Sequence, residues 1–128
     1  AKGDSKDTWN GFKQEREEIL SLIEENTIEG VFFISADRHR SDAWKIKRSG
    51  AASYDFYEFE SSKLTNIHTH ERMDEKFDNC LYSYNKKCSV GFLTFDFTKT
   101  IPDVTYNIYS IDNEEVYELT VSLTDISY

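Results

Sequence analysis

Methionine and proline each occur once, at Met73 and Pro102, cysteine occurs twice, and glycine is held to 5 of 128 residues. The chain opens Ala1-Lys2-Gly3 without an initiator methionine, so the expectation is a piece of a longer polypeptide whose further motifs lie upstream. Cys80 and Cys88 have no second pair, which excludes a four-cysteine zinc site. They leave open a disulfide in an exported protein or two separate thiols. No apolar run approaches the roughly 20 residues a membrane-crossing helix needs, and no signal-peptide pattern is present. Basic residues are the scarcer sign: 15 Lys and Arg against 24 Asp and Glu give a net charge of −9 and a sequence pI near 4.8. That balance argues against nucleic acid or an anionic membrane as partner. It does not argue against an anionic substrate, because a bound metal reverses the local sign.

Aromatic residues are abundant instead, at 15% of the chain, a composition that suits half-buried sheet surfaces. The pattern predicts one α+β or α/β domain over residues 1–128, with one helix and a largely antiparallel sheet. The helix is expected at about 10–26, capped by Thr8 or Asn10, with Phe12, Ile19, Leu20 and Ile23 on its buried face. Lys13, Glu17, Ser21 and Glu24 form its opposite, wet face. Gly30 turns the chain into Val31–Ser35, a short apolar run that reads as a strand buried on both faces. Strands are further expected at 44–48, 54–59, 90–98, 104–111 and 116–123, with Asp112-Asn113 as a hairpin turn. Residues 66–89 read as a long polar excursion with at most a helical turn near 71–77, and the β-rich remainder as a whole runs over about 44–125.

Chemistry concentrates where the apolar run stops. Loop 36–42 carries Asp37, Arg38, His39, Arg40 and Asp42. A carboxylate and an imidazole beyond a strand end lie where open α/β sheets bind ligands, and Asp-x-His offers one oxygen and one nitrogen donor to a metal. Arg38 and Arg40 offer donors to phosphate, or else an ion pair with Asp42 or Glu29. His68-Thr69-His70-Glu71 is a competing ligand pattern, read by default as solvent-exposed loop histidines. Ser61 and Ser62 lack a nucleophile elbow and read as strand-end hydrogen-bonding residues. Trp9 and Trp44 read as core or pocket-wall residues, with core favoured.

Several stretches in order resemble the C-terminal part of the alkaline phosphatase D family, a branch of the calcineurin-like metallophosphoesterases. They are Asp7-Thr8-Trp9-Asn10-Gly11-Phe12 before the helix, Arg16 within it, Val31 to His39, Tyr57 to Thr65, and Gly91-Phe92-Leu93-Thr94-Phe95-Asp96. The resemblance implies a four-layer α/β/β/α fold around a dinuclear metal centre of calcium, iron, zinc or manganese. It implies hydrolysis of phosphate mono- or diesters by a metal-activated water. Asp37 and His39 then match two metal ligands, and Ala36 stands where the family carries glycine. The superfamily's earlier ligand motifs are missing from these residues. The expectation is therefore that this piece alone is inactive and binds no complete centre. It is further expected to pair with the N-terminal part of its own chain, or to self-associate through an exposed sheet surface. The resemblance also implies an extracytoplasmic location. The alternative is a non-catalytic β-rich binding domain or a degenerate phosphatase, which further Asp, Asn and His motifs upstream would disfavour.

Overall fold

The computed structural model describes residues 7–50, 53–65 and 70–128. A 3₁₀ turn at Trp9–Gly11, capped by the Thr8 hydroxyl, leads into helix α1 (Lys13–Glu25). Seven strands follow among the described residues: β1 (Phe33–Ser35), β2 (Ser41–Ile46), β3 (Phe56–Ser61), β4 (Cys80–Tyr84), β5 (Ser89–Asp96), β6 (Asp103–Ser110) and β7 (Glu115–Ser122). The first four form one sheet in the order β1-β3-β2-β4, and the last three an antiparallel meander in chain order. Among the described residues, only the β1–β3 pair is parallel.

The two sheets pack face to face, and the period of two along β3 decides what meets what. Tyr57, Phe59 and Ser61 face the meander. Phe59 stacks on Tyr106 at 4.7 Å between ring centroids, and the Tyr106 hydroxyl donates to the Glu60 carbonyl across the gap at 2.7 Å. Tyr82 stacks on Tyr117 in the same interface, at 4.3 Å. Gly91 is required here: a Cβ at that position would lie 2.5 Å from the Tyr106 ring. Its N–H instead bonds the Ser61 hydroxyl at 2.7 Å, the strand-edge role expected of that serine.

The other face of the four-stranded sheet carries Phe56, Glu58 and Glu60 from β3, with Asp42, Trp44 and Ile46 directly opposite on β2 and Phe33 and Ser35 opposite on β1. The 3₁₀ turn and α1 lie against its apolar end, where Trp9 meets Phe33 edge-on at 5.2 Å and Arg48 pairs with Glu17 and Glu24. Those two glutamates were expected to face water; Arg48 draws them onto the sheet. Leu20 and Ile23 are buried as expected, but Phe12 and Ile19 are exposed, because the buried stripe of α1 is only two residues wide.

Three further expectations change. Residues 31–35 do not form a strand buried on both faces. Among the described residues β1 is a three-residue edge strand, and Ile34 on one of its faces is 68% exposed. The polar loop ends sooner than 42, because β2 begins at Ser41 and takes Asp42 into the sheet. The excursion at 66–89 contains β4, whose buried residues Cys80, Ser83 and Tyr84 lack a period-two apolar pattern to betray it. Cys80 and Cys88 are not joined to each other in a disulfide. Among the described residues, no helix is long and apolar enough to cross a membrane.

Candidate functional site

The parallel strand β1 ends at Ser35, and its exit turn brings Asp37 and Arg38 to the rim of a cleft of about 210 Å³. Trp9 and Phe33 wall the cleft, so Trp9 is a pocket residue, whereas Trp44 is core, 1% exposed and packed with Met73, Phe77 and Cys80. Ser35, Glu58 and Glu60 also line it, and the Ser35 hydroxyl donates to Glu58 at 2.6 Å. The turn itself is tight. Asp37 and His39 both have left-handed backbone, with φ of 80° and 51°, a conformation that costs a non-glycine residue of order 1 kcal/mol and recurs at functional sites. Ala36, in the glycine-like position, is not among the residues with positive φ.

Arg40 fixes the far end of this turn. Its side chain is 1% exposed and pairs with Asp42 through Nε at 2.6 Å. Asp42 in turn accepts from the Ser83 hydroxyl at 2.6 Å and the Trp44 indole at 3.2 Å. The Arg40 carbonyl accepts from the backbone and hydroxyl of Ser62. One residue therefore ties the loop to β2, to β4 and to the end of β3. Its guanidinium takes the ion-pair alternative and faces the sheet, while Arg38 remains at the cleft. Nothing in the residue types distinguished the two arginines; the earlier start of β2 does.

Glu60 is the unexpected member. It is fully buried, its two carboxyl oxygens have no hydrogen-bond partner, and the nearest cation, Arg40 Nη2, is 3.7 Å away. Burial first, and then the Asp42 carboxylate beside it, push its pKa up to about 9, so it is neutral at pH 7. The signal in the sequence was the alternation Phe56-Tyr57-Glu58-Phe59-Glu60, which places two glutamates on one face of a central strand.

A segment distant in sequence also reaches the site. His68 lies outside the described residues. His70 lies against His39, with ring centroids 5.5 Å apart, and its carbonyl accepts from Asn85. Burial, then Arg38, Arg40 and His39, lower the pKa of His70. The two histidine motifs, far apart in the chain, thus converge. Among the described residues, no group of three or more His, Cys, Asp or Glu side chains is placed to hold a metal ion by itself.

A family model described as PhoD-like phosphatase matches residues 2–106, and the chain belongs to that family. No curated relative and no solved structure matches it. Its function is accordingly of the phosphatase type.

Proposed function

We propose that this member of the PhoD-like phosphatases supplies Asp37 and His39 to a metal centre that hydrolyses phosphate mono- or diesters. The observation that carries the reading is the turn after the parallel strand: two donor residues held in left-handed backbone, the first of them, Asp37, lining a cleft. The donor set fits part of such a centre, since one carboxylate and one imidazole suit calcium, iron, zinc or manganese, and it does not fit a whole one. Bound there, the metals supply an activated water and offset charge on the phosphoryl oxygens. Arg38, at the cleft rim, contacts the phosphate; Arg40 is occupied with Asp42 and holds the turn in place. Glu60, carrying its proton, avoids adding a second buried charge beside Asp42.

The remaining ligands belong to an upstream part of the same polypeptide. Its docking surface is the open side of the sandwich, where β1 and β5 are both edge strands. Phe32 meets Phe95 there at 6.1 Å, and Ile34, Phe95 and Phe97 are 68%, 49% and 76% exposed. An apolar edge of this kind invites strand addition or self-association. This chain by itself is therefore inactive and associates in solution. We place the protein outside the cytoplasm, as the family resemblance implies.

The test is hydrolysis of a chromogenic phosphodiester by the longer protein, with added divalent metals and iron, before and after chelation. Activity that chelation abolishes and His39→Ala removes supports the reading. Activity indifferent to both overturns it and favours a binding domain or a degenerate enzyme.

A further inference from the structure

We infer that the cleft beside the Asp37 turn is a site for a primary ammonium group, the amine end of a short amino alcohol. The site stands on the lining of the cleft. The further step, that this amino alcohol is one arm of a phosphoester substrate, rests on the reading of the chain as part of a phosphatase. Acidic side chains dominate the lining: Asp7, Asp37, Glu58 and Glu60 face a single guanidinium, Arg38. Among the described residues, these acids are not grouped to hold a metal ion. An anion is therefore a poor occupant for the interior of the cleft, and an organic cation a good one.

A buried carboxyl points the same way independently. Glu60 lines the cleft at 0% exposure, and neither of its carboxyl oxygens has a hydrogen-bond partner. Buried polar atoms are nearly always satisfied, so two open acceptors beside a cavity mark a place for a donor. The groups around Glu60 do not supply one. Asp42 stands opposite on β2, Glu58 lies two residues back along β3, and Ser35, opposite on β1, gives its hydroxyl to Glu58. Arg40 is committed through Nε to Asp42 and comes no nearer than 3.7 Å. A primary ammonium brings N–H donors together with the counter-charge under which Glu60 releases the proton that burial holds on it. A quaternary ammonium brings only the charge. Trp9 and Phe33 complete the fit as walls, since ring faces attract cations and indole does so most strongly. At about 210 Å³ the cleft lies below the roughly 300–1,000 Å³ of drug-sized pockets, so the arm it takes is short. Arg38, at the rim, is then left for the phosphate.

Ethanolamine added to the 128-residue chain at pH 7, followed through the Trp9 indole N–H resonance and by calorimetry, tests the site. The expected result is saturable binding with proton release, seen as a heat that depends on the buffer. Glu58→Gln should weaken binding about tenfold or more, and Glu60→Gln should weaken it and abolish the proton release. Thermal unfolding of each variant without ligand separates a lost site from a lost fold. Two probes need no variant: tetramethylammonium should bind the wild type about tenfold more weakly or worse, and inorganic phosphate should not displace ethanolamine. Equal binding of the two cations, displacement by phosphate, or no response to ethanolamine overturns the amine site. The phosphatase reading then still stands if the longer protein hydrolyses a phosphodiester in a metal- and His39-dependent way. Ethanolamine bound by this chain, with no hydrolysis by the longer protein under any metal, keeps the amine site and defeats its assignment to a phosphoester substrate.

Discussion

The two faces of the four-stranded sheet are built from the same strands and do opposite work. Toward the meander, Tyr57, Phe59 and Tyr82 meet Tyr106 and Tyr117 in an apolar, ring-stacked layer. On the reverse face, Asp42, Glu58 and Glu60 sit among Trp44, Ser35 and Ser83, buried but polar, under the Asp37–His39 turn. One residue's shift along β3 passes from Phe59, which holds the sandwich together, to Glu60, whose carboxyl lies buried beside the cleft. Burial alone does not separate stability from function here; what is buried, and beside what, does.

That contrast can be broken deliberately. Phe59→Ala should cost the most, about 3–5 kcal/mol, through loss of the stack on Tyr106 and the cavity left behind. Urea denaturation would show it as a lower midpoint with an unchanged slope. Asp42→Ala should cost a similar amount for a different reason, about 3–5 kcal/mol, because it strands the buried Arg40 guanidinium. The distinction is sharpened by Arg40→Met combined with Asp42→Leu, which should recover most of the loss. No second substitution of that kind rescues Phe59→Ala.

Glu60→Gln acts through pH. The folded carboxyl titrates near 9, against 4.5 for the ordinary side chain, so between those values the native state holds a proton the unfolded state has released. Stability is therefore full below about pH 4.5 and declines as pH rises toward 9, by at most about 1.4 kcal/mol per unit. Glu60→Gln removes that slope, so its unfolding temperature should gain on the wild type steadily from pH 5 to pH 9. Parallel curves would mean that Glu60 is ionised in the fold. The smallest effect belongs to the meander's outer, wet face. Thr105→Ala, which breaks an exposed 2.9 Å hydroxyl pair with Thr120, should stay within about 0.5 kcal/mol by the same denaturation.

Much of this was legible in the chain. The three strands of the meander announce themselves by alternation, as in Val104, Tyr106 and Ile108, because one face is packed and the other wet. α1 shows through its helical spacing, though its capping is displaced into the preceding 3₁₀ turn. β1 misled because an apolar run signals sheet, not whether a neighbour strand exists on its far side. β4 was hidden because its inward residues include Ser83 and Cys80, chosen to satisfy Asp42 and Trp44 and not to follow a pattern. The Asp37–His39 turn could be marked by its residue types. The division of labour between Arg38 and Arg40, the burial of Glu60 and the approach of His70 to His39 all depend on pairings distant in sequence, which no local period records.

The central claim is that Asp37 and His39 hold a metal, and crystals of the longer protein grown with its activating metal address it most directly. Anomalous scattering recorded at that metal's absorption edge should place a peak within coordination distance of the Asp37 carboxylate and the His39 ring. A peak seated elsewhere, with those two side chains bound only to protein and water, would contradict it.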